Sequence, residues 1–137
     1  MGKWIAMGMA LLLAGCATSP VPVDQADQVP PDRLYGLQQD PDTPHGTVQI
    51  TRDSGVNFSM CTVSAHVDGT KVADFKPSET ASFYVSPGEH VLGVSTGGGI
   101  CANLVQEIES SIGVDENKRY RIYMDASGTL GISRTAM

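Results

Sequence analysis

Residues 61–75 read Cys61-Thr62-Val63-Ser64-Ala65-His66-Val67-Asp68-Gly69-Thr70-Lys71-Val72-Ala73-Asp74-Phe75, and their pattern decides the fold. Cys61, Val63, Ala65 and Val67 fall on one face of an extended chain, with Thr62, Ser64 and His66 on the other. A period of two marks a strand with one buried face. Asp68-Gly69 then supplies two residues that tolerate positive φ in a type I′ turn, so the chain doubles back into a strand over 71–75.

The same pattern extends in both directions. Val48 and Ile50 alternate upstream, and Ala81, Phe83 and Val85 downstream. In Ser86-Pro87-Gly88-Glu89 the proline sets φ and the glycine supplies φ > 0, which predicts a type II turn and a partner strand over 91–95. Leu104, Val105, Ile108 and Ile112 have helical spacing, but Leu104, Ile108 and Ile112 also share one face of a strand. The neighbouring strands favour the second reading, with 113–117 as a hairpin loop that sets Glu107 and Glu109 opposite Arg119 and Arg121. Tyr120, Ile122 and Met124 then point one way, against Arg119, Arg121 and Tyr123. A turn over 125–129 leads into a last strand, Leu130 to Arg134. Seven or eight short strands separated by turns predict an all-β domain over residues 46–137, an antiparallel β-sandwich.

The chain begins differently. Lys3 precedes an uncharged run from Trp4 to Leu13, closed by Leu13-Ala14-Gly15-Cys16. The run suits the apolar core of a signal peptide and falls well short of the roughly 20 residues that span a bilayer. Small residues before a cysteine form a lipobox, which predicts cleavage after residue 15 and lipidation of Cys16. The alternative is an ordinary signal peptide with a chance cysteine. A single acyl chain holds a protein marginally and two hold it stably. Ala17 is not the aspartate that retains enteric lipoproteins on the inner membrane, so resemblance to that sorting rule favours the outer membrane, with the domain facing the periplasm.

Residues 16–45 hold six of the eight prolines, interleaved with Asp24, Asp27, Asp32, Asp40 and Asp42. Such a composition buries little apolar surface, which predicts an extended, disordered tether. Residues 33–37, Arg-Leu-Tyr-Gly-Leu, could instead dock on the domain as a short arm.

Of 137 residues, removal of 1–15 leaves 122, enough for one domain and a tether. The net charge of −6 becomes −7 without Lys3. The nearest approach to a basic cluster is Lys118, Arg119 and Arg121, which excludes nucleic acid as an expected partner. With Cys16 lipidated, Cys61 and Cys101 remain as a pair in an oxidising compartment. A bond between them would close a loop of about 40 residues, worth roughly 4 kcal/mol. Two buried thiols or half a metal site are the alternatives, although there is no CxxC and no paired histidine.

Three strings resemble a group of small proteobacterial lipoproteins of unknown function: Val29-Pro30-Pro31-Asp32-Arg33-Leu34-Tyr35, Thr51-Arg52-Asp53-Ser54-Gly55 and Pro87-Gly88-Glu89-His90-Val91-Leu92-Gly93. Cys61 and Cys101 sit where that group carries cysteines, and the likeness covers most of 29–137. The stretch from Val67-Asp68-Gly69 to Pro87-Gly88-Glu89-His90 is more distantly similar to PEGA-type and DUF2846-type β-sandwich domains. This resemblance implies a fold and no activity.

Sites are sparse. His66 and His90 lie near Asp68 and Glu89, but the pattern places them on a strand surface and in a turn. Gly97-Gly98-Gly99 lacks the Lys-Ser/Thr of a phosphate loop and fits a flexible approach to Cys101. No nucleophile elbow is present. Arg52 and Asp53 could form a recognition surface at the end of the first strand, or simply a turn and a solvated residue. The expectation is therefore a non-enzymatic, lipid-anchored binding or assembly module without cofactor or metal. Its partners would be the membrane, through the lipid, and another envelope protein or peptidoglycan. A periplasmic inhibitor or sensor, for example of a cell-wall hydrolase, is the second reading, with the loop over 97–100 as its contact. An envelope hydrolase is the third.

Overall fold

The alternating residues become the inner faces of two stacked sheets. The structure is a computed structural model and describes residues 17–137; the expected signal peptide and lipidation site, residues 1–16, lie outside the described residues. Nine strands are present: β1 Asp27–Gln28, β2 Gly46–Arg52, β3 Val63–Val67, β4 Thr70–Phe75, β5 Glu79–Val85, β6 Gly88–Thr96, β7 Val105–Ile112, β8 Asn117–Met124 and β9 Leu130–Arg134. One sheet has the order β1-β5-β2-β8-β9 and the other β4-β3-β6-β7. The result is an all-β sandwich. Its eight longer strands are those expected from the sequence, and residues 105–112 are strand.

Val48, Ile50, Phe83, Tyr120 and Ile122 of the first sheet face Val63, Ala65, Phe75, Leu92 and Val94 of the second, all buried in one core. Each such Val, Ile, Leu or Phe contributes about 1.5–3 kcal/mol relative to exposure. The β3–β4 turn is as expected, with Asp68 at φ 50° and Gly69 at φ 80°.

Pairing departs from the expectation in three places. β2 runs parallel to β8, from Thr47 opposite Asn117 to Arg52 opposite Ile122, and β1 runs parallel to β5, so the first sheet is mixed. β6 pairs with β3 and β7 rather than with β5, because Ser86 and Pro87 carry the chain from one sheet to the other. β7 and β8 also lie in opposite sheets, so Glu107 and Glu109 do not face Arg119 and Arg121. The last two share a physical reason: β5 and β6, like β7 and β8, each have one apolar face, and consecutive strands hide these faces against each other across the interior. Tyr120 on β8 reaches across to Ser110 on β7 with its hydroxyl.

The expected tether is the largest difference. Residues 18–38 are packed against the sandwich. Asp27 N–H donates to Ser78 O (2.9 Å) and Val29 N–H to Thr80 O (3.0 Å), which adds β1 to the edge of β5. Val29 is buried in the core. The chain then crosses to the edge of β4, where Leu34 bridges Ala73 and Tyr35 N–H donates to Val72 O (2.8 Å). It returns to β5, where Tyr84 N–H donates to Leu37 O (2.9 Å). Arg33 forms a two-pronged pair with Glu79 (2.6 and 2.6 Å). Main-chain bonds to two sheet edges and one ion pair hold this arm where apolar burial alone would not, and they cover edges otherwise open to foreign strands. Only residues 39–45 run without regular structure between arm and β2.

Candidate functional site

Arg52 and Asp53 end β2, and their chemistry organises everything beyond it. Both are buried, at 5% and 2% exposure, which corrects their reading as a recognition surface. Arg52 Nη1 donates to Cys61 O (2.6 Å) and Phe75 O (2.8 Å), and Nη2 donates to Phe58 O (2.8 Å). Burial lowers its pKa to about 10, against the raising influence of Glu79, so it stays charged at neutral pH. A guanidinium that supplies three main-chain carbonyls is a bracket for the 54–61 loop. Asp53 accepts from Arg121 Nε (3.0 Å), from Arg121 Nη2 and from Thr18 Oγ1 (2.7 Å). It therefore joins β2, β8 and the start of the arm.

The loop held by this bracket carries the disulfide. Cys61 is bonded to Cys101, with Cα atoms 5.7 Å apart and 40 residues between them in sequence. The bond ties the 54–61 loop to the 97–104 loop between β6 and β7. Phe58 takes a positive φ of 57°, locked by Cys61 N–H donating to Phe58 O (2.9 Å). Gly98, at φ 78°, leaves room for Asn103, whose Oδ1 lies 2.7 Å from where a Cβ would stand. Thr96 Oγ1 donates to Ala102 O (2.5 Å) and accepts from Leu104 N–H (3.0 Å), closing the root of the second loop.

Between them the two loops expose Val56 (93%), Met60 (86%) and Ile100 (90%), which gather with Phe58 and Cys61 around a shallow concavity of about 300 Å³. Residues 54–62 and 96–104 contain no Asp, Glu, Lys, Arg or His. In a chain of net charge −6 these two loops are free of charge, although Lys76, Asp125 and the arm residues Asp24 and Asp27 lie at the same end of the sandwich. Scattered exposed aliphatics are ordinary; these three are gathered on adjoining, covalently tied loops. The glycines over 97–99 are legible in the sequence as an approach to Cys101, whereas Val56 and Met60 belong to no alternating pattern that marks them. The signal that could have found them is the charge-free composition of both loops.

Two other polar sites use their groups internally. His90 is buried, its Nδ1 against Asp68 Oδ2 (2.6 Å) and its Nε2 against Ser86 O (2.6 Å). Both neighbours are acceptors, so the site favours the protonated ring, which donates from both nitrogens. Burial lowers its pKa, but Asp68 and the Ser86 carbonyl outweigh that and hold it above the usual value. His90 is thus a clasp between the β3–β4 and β5–β6 turns, beside an open cleft of about 340 Å³ walled by Leu37, Val67, Val72 and Val85. His66 is half-buried on the outer sheet face, with Nε2 3.1 Å from Ser95 Oγ.

Among the described residues, no group of three or more His, Cys, Asp or Glu side chains could hold a metal, and no helix is long and apolar enough to cross a membrane. These features define a two-sheet β-sandwich with a docked N-terminal arm and a disulfide-tied apolar tip. No family model and no curated protein matches the chain.

Proposed function

We propose that this chain is a lipid-anchored cell-envelope protein whose sandwich acts as a non-enzymatic binding or assembly module on the periplasmic side of the outer membrane. The observation that carries this reading is the neutral tip of Val56, Met60 and Ile100, fixed by the Cys61–Cys101 bond. Its shape and chemistry suit contact rather than turnover. Arg52, Asp53, Glu79 and His90, the buried charged side chains among the described residues, are each engaged by an internal partner. The lipobox at residues 13–16 and the resemblance to small proteobacterial lipoproteins support the address.

The docked arm alters how such a module would work. A slack tether of some 30 residues would let the domain search on the order of 30 Å. An arm bonded from Thr18 onward holds the domain close to its anchor instead. Its partner would be an envelope protein or peptidoglycan presented near the membrane. Crosslinking in intact cells tests this: a defined protein or muropeptide should be recovered on the mature chain, and recovery of the uncrosslinked chain alone would overturn the assembly role.

The tied 97–100 loop also suits an inhibitor or sensor of a cell-wall hydrolase, since a pre-ordered loop loses little entropy on insertion into a cleft. Suppression of lysozyme-type activity at near-equimolar amounts would support that second reading, and full activity in excess protein would remove it.

A further inference from the structure

The apolar tip and the start of the arm lie at the same end of the sandwich. Ser19 N–H donates to Ser54 O and Ser54 N–H to Ser19 O, each at 2.9 Å, in an antiparallel bridge. Read backwards from Ser19, the chain therefore runs the way the loop runs forwards from Ser54 toward Val56. Thr18 continues this course, its Cα 3.4 Å from where a Cβ on Gly55 would stand. The junction among Thr18, Asp53, Phe58 and Met124 is closed, with room of about 10 Å³, no more than one water. Cys16 precedes Thr18 by two residues in sequence.

We propose that the tip is a membrane-seating surface: Val56, Met60 and Ile100 rest in the interface of the same phospholipid layer that holds the acyl chains on Cys16, and fix the domain upright on it. The inference rests on lipidation of Cys16 and names the partner of the tip described above. The mature chain, net negative, is repelled least by anionic lipid where its surface is uncharged; residues 54–62 and 96–104 carry no charged side chain, while Asp24, Asp27, Lys76 and Asp125 at the same end would stay among the headgroups. Exposed aliphatic side chains on a neutral loop bury favourably at the headgroup–acyl boundary. An anchor within two residues of a pinned Thr18 leaves this end no room to turn away. The other pole, where Glu116 O accepts from Thr47 N–H beside the exposed Val114, then points away from the membrane. Partners are met by the sandwich sides and that far pole.

The single tryptophan of the chain, Trp4, belongs to the signal peptide, so the mature protein offers a dark background. Ile100→Trp, Val56→Trp and Val114→Trp, each at a well-exposed position, are prepared as mature lipidated protein, beginning at Cys16, in phosphatidylcholine vesicles with and without bromine on the acyl chains. Ile100→Trp and Val56→Trp should emit at shorter wavelength and lose intensity to the brominated lipid, whereas Val114→Trp should do neither. Protein that floats with the vesicles but is unquenched at all three positions, or equally quenched at all three, would overturn the seating and leave the anchor standing. A blue shift at Ile100→Trp that bromine does not quench would assign the tip to a second copy of the chain and likewise overturn it. Failure to float would overturn the lipid anchor, and the seating with it.

Discussion

Thr18 and Asp53, 35 residues apart in sequence, share a 2.7 Å hydrogen bond that locks the beginning of the arm to the end of the central strand β2. The same threonine oxygen accepts from Met124 N–H (2.9 Å), and the same carboxylate is gripped by Arg121. The residue two places beyond the proposed lipid site is thus built into the sheet.

Asp53→Ala should be severely destabilising. It strips a buried acceptor from Arg121 and Thr18, a loss of about 3–5 kcal/mol. Thr18→Val removes one bond and should cost about 1 kcal/mol. Thermal unfolding of the two variants checks the order. In Asp53→Ala the segment preceding residue 27 should also become the first site of proteolytic cleavage; equal midpoints for the two variants would contradict the role given to Asp53.

The arm should come loose in acid. Burial raises the Glu79 pKa, but the Arg33 pair and the Lys76 amide outweigh it and hold it below its ordinary 4.5. Asp74, which takes the Tyr35 hydroxyl at 2.6 Å, is likewise held below 3.8, burial being outweighed by bonds from Ser64, Tyr35 and Lys71. Carboxylates depressed in the folded state stabilise fully above the unfolded value and lose that contribution as pH falls through the folded one. Hydrogen exchange should show the amides of Val29 and Tyr35 losing protection below pH 4.5, before those of β2 and β8. Glu79→Gln should weaken the arm at neutral pH by about 2 kcal/mol. Arm protection that is indifferent to both changes would count against the ion pair.

His90 should show the opposite dependence. Its raised pKa means the clasp is at full strength below the ordinary 6.5 and weakens as pH rises through the higher folded value. Urea unfolding should therefore find the protein less stable on the alkaline side of that titration. Asp68→Asn should lower the His90 titration midpoint seen by NMR and flatten the stability profile over the same range. A His90 midpoint unmoved by the substitution would show that Asp68 is not its charge partner.

Replacing Cys61 and Cys101 together by serine should lower stability by roughly 4 kcal/mol, the chain-entropy value for a loop of about 40 residues. The loops over 54–61 and 97–104 should become the first sites of proteolysis, because Arg52 then braces only the first and Thr96 only the root of the second. Unchanged stability and an intact tip in the double variant would assign the brace to Arg52.

Period-two alternation shows which side chains face inward, and for Val63, Ala65, Val67, Phe83, Tyr120 and Ile122 it was legible before any coordinates. Alternation carries no information about which strand lies alongside, so β7 and β8 read as a hairpin although they face each other across the core. The Asp68-Gly69 turn was legible because its backbone needs positive φ twice. Of the arm, docking of 33–37 was one of two readings its apolar residues allowed; docking of 18–32 was not legible, since its bonds run from main chain to sheet edges and the one strong side-chain pair, Arg33 with Glu79, spans 46 residues. Burial of Arg52 has no sequence signature for a similar reason: its three carbonyl partners come from a loop and from β4, and carbonyls leave no trace in side-chain patterns. The pairing of Cys61 with Cys101 was legible by counting cysteines, whereas the apolar tip they support needed the two loops to be seen side by side.

Fatty-acid labelling of growing cells that express the full chain or its Cys16→Ala variant bears on all of this most directly. The full chain should carry label and sediment with membranes, while Cys16→Ala should carry none and be released in soluble form. Label that persists on Cys16→Ala, or a full chain that never acquires it, would contradict the lipid anchor.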